Sequence, residues 1–470
     1  TADEGGSEGG PRVDAMAAVR VRCAPLPRGG ILERPHGSCR TARRGAVRPL
    51  PASQGEARSA GATDEAQDRA PPCPEVFHQA PMSIAGQGAT ERAAREMRER
   101  GLNKVLVVTD RTCAEAGALR GLQAVLDSCG MEHTTFAGAD PSCPTVTQAE
   151  SAAALIRSAR CDGVASLGGR AAHDCAKAAA MVAANGGCVA DYRGVGQVRK
   201  RMLPMTAFAV STEGAAGEMT RVAVLSDPDR QAKVAVVSHH ITPDIAVYDA
   251  GAGEGQLGEK SASGMDALTF AVEAFLSPRS TPMTDACALG AINLIATSPY
   301  NHDDRGARMM SHAHFLAGMA FNSAGWGTVH AMSLPLSAHY GLDATACNAV
   351  LLPVVVTNSA KETGCGEPYL HLAQAMGVWC GDANHTPQVG HDSFIVERAL
   401  VLLTSTIRKL SRDCGVPENL AAMGVDPRDF AQLAGEAVRE ERRSGGGGGG
   451  FQPTRDQVEM MYREAYEQAY

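Results

Sequence analysis

Between residues 104 and 184, short β-branched runs alternate with amphipathic stretches, and after about residue 262 the strand signals stop. No other feature narrows the fold as much. The runs predict strands over 104–108, 132–136 and 163–167, and the stretches between them predict helices over 114–128, 147–160 and 173–184. Such alternation requires parallel strands joined by crossover helices, a doubly wound sheet. Four more strand-like runs follow at 205–210, 222–225, 233–237 and 244–248. Beyond them, 265–276, 285–296, 305–321 and 394–411 repeat apolar residues at helical spacing. The expectation is an α/β, Rossmann-like half over 76–262 and an all-α half over 263–470. Any site should lie in the cleft between them, near the carboxyl ends of the strands.

At 470 residues the chain can build sizeable cores without staples. A formal charge of -8 argues against nucleic acid as a main partner, because phosphate binding needs a basic patch. The apolar run at 350–356 is too short for a bilayer and is interrupted by Pro353, so no membrane span is expected. The 14 cysteines include no Cys-x-x-Cys pair, which argues against zinc ribbons and thioredoxin-type chemistry. They are expected to act mostly as small buried hydrophobes.

The two ends differ from the body. Residues 1–75 carry Arg20, Arg22, Arg28 and Arg43 with Glu33 as the lone acid from 20 to 48, the composition of a mitochondrial or plastid transit peptide. The alternative is a disordered tail. Near the other end the glycine run at 445–450 predicts a flexible loop. A helix over 454–470 follows, with Met460, Met461, Tyr462 and Tyr466 as the face that docks on the body.

Particular residues then become recognisable. Gly264-Met265-Asp266-Ala267-Leu268-Thr269, Thr281-Pro282-Met283-Thr284-Asp285-Ala286 and Val329-His330-Ala331-Met332 stand in the second half. His173-Asp174-Cys175-Ala176-Lys177 and Asp191-Tyr192-Arg193-Gly194-Val195 stand in the first. Together they resemble the iron-dependent (group III) alcohol dehydrogenases, methanol- and lactaldehyde-type members above all, in register from about Phe77 to the C-terminus. The resemblance implies a Rossmann-like domain, a helical metal domain, an NAD(P) cofactor and reversible oxidation of small alcohols to aldehydes. It also implies a homo-oligomer.

By the same resemblance, one iron or zinc ion would be held by an aspartate, a histidine four residues later and two further histidines fourteen residues apart. The metal would polarise the alcohol oxygen as a Lewis acid. Here the four positions read Asp266, Phe270, His330 and Ala344, and a family histidine four residues beyond the third ligand is Leu334. Two ligands of four remain. Asp266 and His330 are then expected to survive as a hydrogen-bonded polar pair. Asp343 or His339 could instead swing in to rebuild a mixed site.

The family's pyrophosphate loop, Gly-Gly-Gly-Ser, reads Gly168-Gly169-Arg170-Ala171 here and leads into Asp174. Arg170 either pairs with phosphate or fills the space the cofactor needs, and obstruction is the favoured reading. The second nucleotide stretch begins Ser211-Thr212-Glu213. Asp110 matches the ribose-binding acid, which favours NAD over NADP, and Lys233 matches a family lysine near the nicotinamide. Losses at two half-sites point to impaired catalysis, a pseudoenzyme or scaffold within some protein assembly. The alternatives are an active alcohol dehydrogenase with a rebuilt metal site and a metal-free nucleotide sensor.

Overall fold

A computed structural model of the protein describes residues 77–468 except 116, 210–216, 231, 250–262, 299–303, 365, 380–392 and 444–450. The arginine-rich leader, the glycine run at 445–450 and the site candidates Ser211 and Thr212 lie outside the described residues.

The first half runs β1 (Met82–Ala85), α1 (Ala89–Glu99), β2 (Lys104–Asp110), α2 (Arg111–Glu115), α3 (Ala118–Ser128), β3 (Glu132–Ala139), α4 (Val146–Ala159), β4 (Gly163–Gly168) and α5 (Arg170–Asn185). It continues through β5 (Gly194–Val195), β6 (Met205–Ala209), β7 (Val222–Asp227), β8 (Ala232–Val237) and β9 (Ile245–Tyr248). Six strands form one parallel sheet in the order β1-β9-β6-β4-β2-β3. Both faces are covered, as parallel sheets require. Leu106, Val108 and Val164 pack with Ala153 and Ile156 of α4 on one face. Val105, Val107 and Ala165 pack with Met97 of α1 and Leu126 of α3 on the other.

Two expectations are corrected, and the pairing of two strand-like runs is added. The helix predicted over 114–128 is two, because Gly117 takes a left-handed conformation with φ +91° between α2 and α3. The runs at 222–225 and 233–237 do not join the parallel sheet. They form an antiparallel hairpin, β7–β8, in a small second sheet with β5. Alternation on that hairpin sends Val222, Val224 and Val237 into the helical half and Ala223, Leu225, Val234 and Val236 into the first half. Both faces are buried, so the hairpin reads as continuous apolar sequence with no sign of its pairing. The cysteines also differ: Cys161, Cys175 and Cys347 are buried, whereas Cys113, Cys129, Cys143, Cys188, Cys287 and Cys414 are half-buried, and none of these nine is in a disulfide.

The second half is helical among the described residues. Its elements are α6 (Ser263–Leu276), α7 (Pro282–Thr297), α8 (Asp304–Ala324), α9 (Thr328–Tyr340), α10 (Ala344–Thr363), α11 (Glu367–Ala375), α12 (Ser393–Asp413), α13 (Phe430–Arg443) and α14 (Arg455–Glu467). Helix α14 docks as expected through Met461 and Tyr462, whose hydroxyl donates to Met332 O at 2.6 Å, but Met460 faces solvent. None of the described helices is long and apolar enough to cross a membrane.

Candidate functional site

The chain leaves β2 for β3 on one side of the sheet and returns to β4, then moves outward on the other side. This reversal opens a crevice at the carboxyl ends of β2 and β4. Asp110 ends β2, and Gly168 ends β4 with φ +140°. A Cβ on Gly168 would stand 2.9 Å from Asp110 Oδ2, so glycine is what lets the two strand ends meet. Gly169 caps the sixteen-residue helix α5, whose free N–H groups open into the crevice. Asp110 Oδ1 itself accepts from Cys113 N at 2.8 Å. Lys233 stands on β8 opposite Ser226 and reaches Cys143, whose thiol also feels the charges of Arg170 and Asp174.

Arg170 is the first residue of α5, and its guanidinium crosses the cleft. Nε lies 3.7 Å from Asp174 Oδ2, and Nη1 lies 3.8 Å from Asp266 Oδ2 on α6. Burial works against that charge, but Asp266 and Asp174 more than offset it and raise the guanidinium above its ordinary range. Asp174 Oδ2 also accepts from Val224 N at 3.1 Å, which fixes α5 to the β7–β8 hairpin.

Beneath Arg170 lies a fully buried group of titratable residues. Lys177 stands one helical turn after His173 on α5. It is 0% exposed, donating to Thr220 Oγ1 at 3.1 Å and Val222 O at 2.8 Å. Burial lowers it to about 8 and raises Glu218 to about 8, well above the usual carboxylate range. His173 bonds Ser166 Oγ through Nδ1 at 2.7 Å, with Nε2 3.8 Å from Glu218 Oε2. Burial, reinforced by the Lys177 charge, pushes the imidazole down to about 3.

That depression makes a prediction with a defined sign. An unfolded histidine takes up its proton near 6.5, well before the native one does. The stability this neutral ring confers is complete above that pH and is lost as pH falls from about 6.5 towards 3. Within the window, one such group costs about 1.4 kcal/mol per pH unit. His173→Leu should therefore flatten the acid limb of a melting-temperature profile taken at several pH values below neutrality. An unchanged slope would contradict the assignment.

The metal positions come together, but around a protein group. Asp266, Phe270 and Glu273 share one face of α6, at spacings of four and seven residues. His330 comes from the first turn of α9 and Asn348 from the second turn of α10. Asp266 and His330 are not bonded directly among the described contacts. Asn348 Nδ2 bridges them, donating to Asp266 Oδ1 at 2.7 Å and to His330 Nε2 at 3.3 Å. The opposite amide orientation would set Oδ1 against the carboxylate, so the chemistry selects this one. His330 Nδ1 donates to Glu273 Oε2 at 2.5 Å, which leaves Nε2 as the acceptor that Asn348 uses.

Aromatic rings close the rest. Phe270 stacks on His330 with centroids 4.7 Å apart and an interplanar angle of 10°, while Phe321 packs 4.2 Å from Phe270. Trp326 completes the wall at 6.4 Å from the imidazole. The space left between Arg170, Asp174, Phe270 and His330 is about 20 Å³. That is roughly the room one water requires.

Asp343 and His339 have partners of their own, although Asp343 lies close enough for its charge to act on Arg170. Asp343 caps α10, accepting from Ala346 N at 3.0 Å, and His339 Nε2 pairs with Glu436 on α13 at 2.9 Å. Ala344 opens α10 and brings no donor to the cleft. His312 is exposed, and buried His314 bonds Met310 O at 2.8 Å.

Comparison with known proteins settles the lineage of this arrangement. The family description "Iron-containing alcohol dehydrogenase" matches residues 80–250, and "Fe-containing alcohol dehydrogenase family, C-terminal" matches 260–466. The chain belongs to the iron-containing alcohol dehydrogenase family. Alcohol dehydrogenase 4 of Saccharomyces cerevisiae (strain YJM789) is 33% identical over 398 residues, covering 83% of this chain and 98% of that protein. The NAD-dependent methanol dehydrogenase of Bacillus methanolicus is 33% identical over 367 residues, covering 77% and 92%. A crystal structure of 1,3-propanediol oxidoreductase superposes with a TM-score of 0.74 at 29% identity, covering 84% of this chain and all of that one.

For a family built round a divalent ion, the donor set here does not fit one. Catalytic sites of this type use three protein ligands or more. This cleft offers one carboxylate and one imidazole, already joined by an amide, with a phenyl ring stacked on the imidazole. Among the described residues no cluster of three or more His, Cys, Asp or Glu side chains is arranged to hold a metal. Sequence reasoning missed Asn348, Glu273, Phe321 and Trp326. Glu273 had a signal, its place seven residues after Asp266 on one helix, whereas Phe321 and Trp326 reach the cleft through tertiary packing alone.

Proposed function

We propose that this chain is a metal-free member of the iron-containing alcohol dehydrogenase family, a folded scaffold that does not oxidise alcohols by the family's route. The observation that carries the reading is the Asn348 amide joining Asp266 to His330, the two surviving ligand positions. Phe270 stacked on His330 and Arg170 reaching Asp266 support it, since an apolar ring and a cation both oppose a bound metal. Assembly with copies of itself or other proteins, and delivery to a mitochondrion or plastid by the leader, belong to the same proposal.

A second reading, a nucleotide-binding sensor, is favoured by one observation. Asp110, Gly168 and Gly169 still meet at the head of α5, where an acid at the strand end would select NAD over NADP. One experiment addresses both. The purified chain, reconstituted anaerobically with iron(II) or zinc and then desalted, is expected to retain far less than one ion per chain. Near-stoichiometric, tightly held metal would overturn the metal-free reading and favour an active dehydrogenase with a rebuilt site. Titration with NAD then separates scaffold from sensor: no saturable binding supports the first, and binding without turnover of short alcohols or aldehydes supports the second.

A further inference from the structure

The helical half holds a larger cavity than the cleft, about 60 Å³, on the other side of the α9 N-terminus. One water needs roughly 10–15 Å³, so there is room for about four to six heavy atoms. Val272, Leu276, Leu352, Val355 and Val356 make an aliphatic wall. The polar groups round it are unevenly satisfied, and the imbalance has one sign.

Its unpartnered groups are donors. Trp326, which lines both this cavity and the cleft, is 7% exposed, and its indole N–H has no hydrogen-bond partner. Arg279 spends Nε on Ala324 O at 3.1 Å, and among the described residues its two terminal nitrogens bond nothing. Among the described residues it has no carboxylate partner either, and burial lowers its pKa. Arg221, likewise without a carboxylate partner among the described residues, is lowered by burial and then by the Arg279 charge, so no described acid acts on the two guanidinium groups. The first turn of α9, through Gly327, Thr328 and Val329, also lines the cavity, with its N–H groups already capped by Glu273.

The two acids in the wall do not cancel this. Glu273 is occupied on both oxygens by α9 and His330. Glu441 accepts from Thr328 Oγ1 at 2.9 Å, and burial, with Glu273 nearby, raises it to about 7. A carboxyl poised there can share a proton with a bound acid.

We propose that this cavity is a binding site for a short-chain monocarboxylate, its hydrocarbon on the valine and leucine wall and its oxygens taking the free N–H groups of Arg279 and Trp326. An amine would leave those donors unmatched and meet Arg279 as a like charge. An alcohol would satisfy one donor and leave the charge uncompensated. Glu273 borders this cavity and also holds His330 in the cleft, so an occupant here touches the residue that orients the central site.

The test uses the full chain with butyrate as probe, against n-butanol, n-butylammonium and chloride at equal ionic strength. Butyrate is expected to change tryptophan fluorescence saturably and to raise the melting temperature, with a Kd on the order of 0.1–10 mM for so small a ligand. The three comparators should do neither. Arg279→Met removes a half-exposed charge-assisted donor and should weaken butyrate roughly 10–100-fold. Val355→Phe fills the cavity and should abolish the response; should it fail to fold, the Arg279 variant still decides the question. No saturable response to butyrate, an equal response to chloride, or unchanged affinity in Arg279→Met would each overturn the proposal.

Discussion

Glu273→Leu is expected to cost about 3–5 kcal/mol of stability, because several donors lose a shared buried acceptor at about 1–3 kcal/mol each. The carboxylate accepts from Val329 N at 2.6 Å, from Gly327 N and His330 N at 3.3 Å each, and from His330 Nδ1 at 2.5 Å. It is the N-terminal cap of α9, supplied by a neighbouring helix. Leucine has nearly the same volume, so the loss reads out polar satisfaction and not a cavity. It leaves three backbone N–H groups and a ring N–H buried without acceptors, at the end of α9 whose dipole most favours a negative charge. The backbone is fitted to this residue: a Cβ on Gly327 would stand 2.6 Å from Glu273 Oε1. The melting temperature should fall by roughly 5–12 °C. Glu273→Gln keeps an acceptor and should fall between. A drop below about 2 °C in Glu273→Leu would show that water replaces the carboxylate without penalty.

The alternation of β-branched runs with amphipathic stretches made the parallel sheet legible, because buried parallel strands and their crossover helices follow local periodicity. Two kinds of element escaped it. Strand β1 is four residues with alternate half-burial, joined to the sheet by pairing with β9, far away in sequence. Helices α9 and α10 contain Pro335 and Pro353, which read as breaks, but dense packing on the helical core keeps both continuous. The β7–β8 hairpin was visible as strands, but its pairing partner is a tertiary fact. Apolar residues on both faces carry no mark of which sheet they join.

At the site, the surviving donors could be named from position alone, because Asp266 and His330 sit in motifs with fixed spacing. What fills the gap between them could not. Asn348 lies eighty-two residues from Asp266, and nothing in its own neighbourhood distinguishes it from an ordinary helical asparagine. Arg170 was marked as foreign to a glycine loop, but its partners are carboxylates on two different helices. That choice follows from electrostatics in the folded cleft. A desolvated guanidinium gains more from Asp174 and Asp266 than from remaining in a solvent-facing loop.

Combining Phe270→His with Ala344→His is expected to convert a chain that retains little metal into one that holds about one zinc or iron(II) ion, completing four protein ligands with Asp266 and His330. The backbone is placed for it. Residue 270 lies one turn beyond Asp266 on α6, and the residue 270 ring already stacks on His330 at 4.7 Å. Residue 344 lies one turn before Asn348 on α10, so its side chain is directed to the same side as the bridging amide. Metal must still displace Asn348 from Asp266 and His330, so Asn348→Ala added to the pair should tighten binding further. With free zinc at about a thousand times Kd, stabilisation should reach about 4 kcal/mol, readable as a rise in melting temperature. Each single substitution should recover much less, because three ligands are held in a cleft shaped for an amide. A folded double variant that retains no ion would show that the helices have moved apart from a metal-binding geometry. The double variant is expected to show no oxidation of short alcohols while Arg170 spans the cleft from Asp174 to Asp266. Turnover that appears only in the double variant would show that the two histidines suffice for it.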